Sequence, residues 1–166
     1  AIVGVLAVIV MLIINPIELN RRSHDTARLT DLANLQQAIN VAAQEATNSS
    51  TDILCVGGTA PCNGRSDTGG RTSNGTGWVK VNVSSAQSVS IPTLPVDPIN
   101  DGSYHYSYCS DGNAWEINAD LESAQQQPKR GTDGGDDKRN SSTTAAIYEV
   151  GSNLTLIGNT TGCDYQ

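Results

Sequence analysis

The sequence predicts an α+β protein: a long N-terminal helix, hydrophobic in its first half and amphipathic in its second, packed on a small antiparallel β-sheet head. Three observations carry this reading. Residues 1–14 contain no charge and no strongly polar side chain. Leu32, Leu35, Ile39, Ala42 and Ala46 then recur at spacings of three, four, three and four, which is one apolar stripe on a helix. Beyond residue 77 the pattern changes to alternation, as in Val79, Val81 and Val83, broken by turn residues. The chain divides into a hydrophobic helical segment, 1–22, and a head, 23–166. The head comprises an amphipathic helix over 23–48, a loop over 49–77, and the sheet with its C-terminal loops over 78–166.

The apolar run covers about 21 Å at 1.5 Å per residue, short of the roughly 30 Å of a bilayer's hydrocarbon. It carries no basic n-region and no small-residue cleavage site, so it is not an intact secretory signal. The competing reading is a buried core helix, but the polar remainder offers little apolar surface to cover one. Pro16 cannot donate to Leu12 and Gly4 weakens the helix, so a stretch between them is expected to kink or unwind. Arg21, Arg22 and Arg28 follow the run, and a positive-inside count would place that end in the cytoplasm. Glu18, Arg22, Asp25 and Arg28 are spaced for local ion pairs on a solvated or subunit-facing surface. The helix should end near Asn48, where side chains compete for backbone bonds.

In the head, residues 51–77 are rich in Gly, Thr, Ser and Asn and read as a loop. Trp78 to Val83 reads as a strand, and Leu94-Pro-Val-Asp-Pro as turn chemistry. Tyr104, Tyr106 and Tyr108 share one face of the next strand, with His105 and Ser107 on the other. Ser110-Asp-Gly-Asn turns the chain into the partner strand from Trp115, and the segments starting at Ile147 and Leu154 should close the sheet. Between them lies a polar insert, 123–144, in which Asp133, Asp136 and Asp137 sit close together around glycines. Such hard oxygen ligands suit Ca²⁺, although the spacing is not that of an EF-hand and four basic residues dilute the field; a solvated charged loop is the plainer reading.

The net charge of −7 and pI near 4.6 argue against a nucleic-acid binder, which needs a basic face. Four cysteines, with no CxxC, point to disulfides rather than a zinc ribbon or haem. Of the three possible connectivities we favour Cys55–Cys62, closing a short loop, and Cys109–Cys163, tying the tail to a strand; free buried thiols are the alternative. Asn-x-Ser/Thr occurs at Asn48, Asn74, Asn82, Asn140, Asn153 and Asn159, against about 2.6 expected from the 14 asparagines and 31 serines and threonines. These are glycosylation candidates, and part of the excess follows from polar composition. No nucleophile elbow, phosphate loop or dinucleotide fingerprint occurs, and the chain reads as no enzyme.

Two sets of residues carry a resemblance. Ala1-Ile-Val-Gly-Val-Leu-Ala resembles the interior of the N-terminal helix of type IV pilins and type II secretion pseudopilins. In the head, Gly77-Trp-Val-Lys-Val-Asn, Leu94-Pro-Val-Asp-Pro, Tyr-x-Tyr with Cys109-Ser-Asp-Gly, Leu121-Glu-Ser and Tyr148-Glu-Val-Gly-Ser-Asn-Leu follow in the order seen in such proteins. The resemblance implies about ten mature residues before Ala1, bringing the apolar run to spanning length and including the family's N-terminal glutamate. It places the arginine end outside the membrane. It departs from the family in the long polar insert.

What it implies is a major pilin: a homo-oligomeric filament subunit held in the inner or cytoplasmic membrane by an assembly machinery, then moved to an extracellular fibre. Gly4, Leu6, Ile9, Leu12 and Pro16 would belong to the assembly helix. The alternatives are a calcium-binding major pseudopilin, with Asp133, Asp136 and Asp137 at the ion, and a membrane-tethered adhesin that never polymerises. No other cofactor and no nucleic acid is expected.

Overall fold

The computed structural model describes residues 15–46, 53–84, 88 and 91–165. The apolar run with Gly4, Leu6, Ile9 and Leu12 lies outside the described residues, as does Asn48. Helix α1, Pro16–Glu45, is the spine of the head. Asn15 caps it in a left-handed conformation (φ 41°), its side-chain oxygen accepting the Glu18 N–H at 3.3 Å. Pro16 then occupies the first helical position, where a missing N–H is tolerated. Helical geometry therefore begins at Pro16, with Asn15 outside it as the cap. The helix ends at Glu45, three residues earlier than the sequence suggests, with Ala46 extended. No described helix is long and apolar enough to cross a membrane.

Among the described residues six strands follow: β1 (Cys62–Arg65), β2 (Tyr106–Ser110), β3 (Trp115–Ala119), β4 (Lys138–Asn140), β5 (Thr143–Thr144) and β6 (Tyr148–Gly151). Four of them make an antiparallel sheet in the order β1-β2-β3-β6, while β4 and β5 pair as a separate ribbon. The expected hairpin is present: Tyr106 faces Ala119 and Ser110 faces Trp115, and Asp111 accepts the N–H groups of Asn113 and Ala114 to close the turn. The stripe of α1 is buried at Leu32, Leu35, Ile39 and Ala42, with Ala38 beside it and Ala46 half-buried. It packs with Tyr106, Tyr108, Trp115, Ile117, Ala119 and Val150 from one face of the sheet.

Three expectations are corrected. Residues 78–83 form no strand of the sheet. Their backbone groups bond loop partners, with Trp78 N–H donating to Gly70, Val83 N–H to Ser73, and Lys80 C=O accepting from Val56. Val79, Val81 and Val83 are buried all the same, so the alternation reflects insertion into the core and not a ladder. The segment 49–77 is not all loop, because it holds β1. Cys62-Asn-Gly-Arg has no β propensity to signal it; the Cys55–Cys62 disulfide, pairing with β2 and the close approach of Gly64 to the Trp78 carbonyl put it there. Finally, residues 154–157 form turns. Leu156 and Ile157 instead join Cys109, Ile147, Cys163 and Tyr165 in a second core on the sheet's other face.

Both disulfides have the favoured pairing, Cys55–Cys62 and Cys109–Cys163, with Cα separations of 5.8 and 5.7 Å. The sheet is thus sandwiched between α1 and a C-terminal layer that one disulfide fastens to β2.

Candidate functional site

Three places in this frame carry chemistry beyond packing. The first is the base of α1. Residues 15–23 are exposed except for half-buried Glu18, and Ile17 and Leu19 keep 65% and 59% of their surface. Glu18 ties this stretch to the head by accepting the Ala124 N–H at 3.0 Å, and it pairs with Arg22 one turn on at 3.4 Å.

The second is an ionic clamp two turns further along α1. Asp25 and Arg28, expected on a solvated or subunit-facing surface, are fully buried. Arg28 makes a forked pair with Asp97 (2.6 and 2.9 Å) and single bonds to Asp25 (2.9 Å) and Glu122 (2.7 Å). The face of Tyr104 lies 5.0 Å from the guanidinium carbon. Asp97, from the Leu94-Pro-Val-Asp-Pro turn, also accepts the Ile99 N–H, and Asp25 accepts those of Glu122 and Ser123. Burial opposes the charge on Arg28, but Asp97 first, then Asp25 and Glu122, outweigh it and raise its pKa further. Sequence spacing reveals only the Asp25–Arg28 pair, because Asp97 and Glu122 lie 69 and 94 residues from Arg28.

The third is a carboxylate cluster. Asp133, Asp137 and Glu149 bring ligand oxygens within 4.8 Å of one another. Asp133 accepts the N–H groups of Gly135 (3.3 Å) and Glu149 (2.9 Å), which fastens the insert to β6. Gly135 leaves room for the Glu149 carboxyl: a Cβ there would stand 1.4 Å from Oε2. Beneath lies Glu116 of β3, fully buried and close enough to Glu149 for the two carboxyls to interact electrostatically. Its Oε2 accepts the N–H groups of Leu156 (2.7 Å) and Ile157 (2.8 Å). Glu116 Oε1 and Asp137 Oδ1 are buried with no hydrogen-bond partner among the described residues. Burial, then contact with Glu116, pushes the Glu149 carboxyl up to about 9; burial raises Glu116 and Asp133 as well.

The cluster differs from the expected set in one member. Asp133 and Asp137 belong to it, whereas Asp136 turns away, accepting from Lys138 N–H (3.3 Å) and Asn159 Nδ2 (2.6 Å). Asp137 itself sits in the left-handed region (φ 58°). Glu149 takes the third place. Its signal in the sequence was a carboxylate inside an otherwise apolar strand.

Compared with protein-family models, with curated proteins and with solved structures, the chain finds no match in any of the three.

Proposed function

We propose that this chain is the structural subunit of a type IV pilus-like helical filament, polymerising through its N-terminal hydrophobic helix. The observation that carries the reading is the uneven burial of α1. From Asp25 onward its inner face is covered by its own head, while Ile17 and Leu19 stand exposed directly after fourteen apolar residues. An apolar surface so placed is suited to lipid before assembly and to other copies of the same helix afterwards. Burying it yields roughly 25 cal/mol per Å². The head then forms the outer surface of an extracellular fibre, and its acidic, polar face keeps fibres apart.

The test replaces Leu6 or Ile9 with Asp in the full chain and examines the cell surface by electron microscopy. An unpaired charge in a helix bundle blocks assembly, so fibres should disappear while the head stays folded. Fibres as abundant as those of the parent would sink the proposal.

A second reading, a calcium-binding pseudopilin of a secretion system, is favoured by the carboxylate cluster. Asp133, Asp137 and Glu149 would hold the ion. The donor set fits: all are hard oxygens, and Asp137 Oδ1 and the nearby Glu116 Oε1 have no hydrogen-bond partner among the described residues. Bound calcium would supply the positive charge that these buried carboxylates otherwise lack. Calorimetric titration of the full chain in detergent decides it: saturable heat that Asp137→Asn abolishes supports the reading, and no heat sinks it.

A further inference from the structure

Four of the five described Asn-x-Ser/Thr sites share one local geometry. The side-chain oxygen of Asn74 accepts the N–H and the hydroxyl of Thr76, at 3.1 and 2.7 Å. Asn82 does the same with Ser84 (3.2 and 2.8 Å), Asn140 with Ser142 (3.0 and 3.0 Å), and Asn153 with Thr155 (3.2 and 2.8 Å). Each pair of bonds fixes the oxygen and leaves the amide nitrogen without a partner among the described residues. Asn74 is exposed and the other three are half-buried.

Asn159 differs although it, too, is exposed. Its Nδ2 donates to Asp136 Oδ2 (2.6 Å) and to the Thr155 carbonyl (2.9 Å), and its Oδ1 accepts from Lys138 Nζ. Both ends of that amide serve the fold, joining the insert to the C-terminal layer. The sequence motif is the same at all five positions; the availability of the nitrogen is not.

We propose that the folded head is N-glycosylated at Asn74, Asn82, Asn140 and Asn153, and spared at Asn159. The co-reactant is a saccharide carried on a lipid phosphate, delivered by a transferase. The Asn Nδ2–C1 bond forms as the C1–O bond to phosphate breaks. The phosphate leaves with the bonding electron pair, and one amide proton passes to a base of the transferase. Asn74 and Asn82 form a β-bridge with each other, so two of the acceptors are neighbours on the surface. On a fibre whose outside is made of heads, these saccharides would face the medium.

The experiment is glycopeptide mapping by electron-transfer mass spectrometry on the full chain purified from the cells that make it. Saccharide mass is expected on the peptides holding Asn74, Asn82, Asn140 and Asn153, with Asn159 bare. Thr76→Ala should remove one saccharide mass, at Asn74 alone. Asn74→Gln should remove the same mass, which separates loss of the acceptor from any misfolding of the variant. An intact mass equal to that of the bare polypeptide overturns the proposal, as does a saccharide on Asn159. Neither result bears on whether the chain polymerises.

Discussion

Arg28 of α1 and Asp97 of the loop before β2 form a two-point ion pair, Nε–Oδ2 2.6 Å and Nη2–Oδ1 2.9 Å, with neither side chain reaching solvent. This pair makes the helix and the head one unit. Removing Asp97 takes away both bonds of the fork and leaves the buried Arg28 charge with Asp25 and Glu122 alone. Asp97→Ala should therefore destabilise the head by about 3–5 kcal/mol, and Arg28→Lys should rescue little, since an ammonium cannot form the fork. Urea denaturation followed by tryptophan fluorescence checks both; a loss below about 1 kcal/mol for Asp97→Ala would show that the clamp is solvated.

Gly64 tests the placement of β1. A Cβ at this position would stand 2.1 Å from the Trp78 carbonyl oxygen, which is backbone and has no rotamer to escape into. Gly64→Ala should cost about 1–3 kcal/mol, seen as a lower thermal midpoint, by driving β1 away from residue 78. An unchanged midpoint would mean that the two segments are not in contact.

The disulfides should contribute unequally. A typical bridge is worth about 2–4 kcal/mol, and the chain-entropy account gives more to the longer loop. Cys109–Cys163 spans 54 residues and Cys55–Cys62 spans 7. The double alanine variant of the first pair should lose more stability in denaturant than that of the second. Equal losses would point to native-state strain or residual unfolded structure as the larger effect.

Glu149 predicts a pH dependence with a definite sign. Its carboxyl is raised from the ordinary 4.5 to about 9 in the folded chain, by burial first and by Glu116 next. Between these values the folded state holds a proton that the unfolded state has released. Stability is therefore greatest at the acid end of the window and falls as pH rises toward 9. In the presence of a chelator the thermal midpoint should decline over this range, and Glu149→Gln, which keeps a neutral hydrogen-bonding group, should flatten the decline. A midpoint that rises across the same window would refute the assignment.

The helix was legible in the sequence because its apolar positions keep one period over four turns, and Leu32, Leu35, Ile39 and Ala42 are all where that period puts them. The β2–β3 hairpin was legible because a local turn specifies it. What failed was whatever depends on distant partners. Val79, Val81 and Val83 alternate like a strand, yet their neighbours in sequence spend their backbone bonds on loops. β1 has no apolar residue but Cys62, and nothing local marks it as a strand. Of the cluster, Asp133 and Asp137 were visible as neighbours. Glu149 and Glu116 were not, because the sheet register, with Asn118 opposite Glu149 and Glu116 opposite Gly151, is what brings their two strands side by side. The clamp was half visible for the same reason.

The second wall of the sheet has a consequence for the order of events during synthesis. Tyr165 stacks on His105 at 4.3 Å, and Cys163 bonds Cys109 across a separation of 54 residues. β2, β3 and the helix can meet as soon as they are made, but the outward face of β2 stays bare until those last residues arrive. At about 5–20 residues per second the interval is roughly 3 to 11 s. A half-made chain thus shows Ser107, Cys109 and Glu116 to whatever is nearby, and the thiol of Cys109 waits longest for its partner. Until residues 156–165 are made, the nascent head is an open-faced intermediate whose sheet is covered on one side alone.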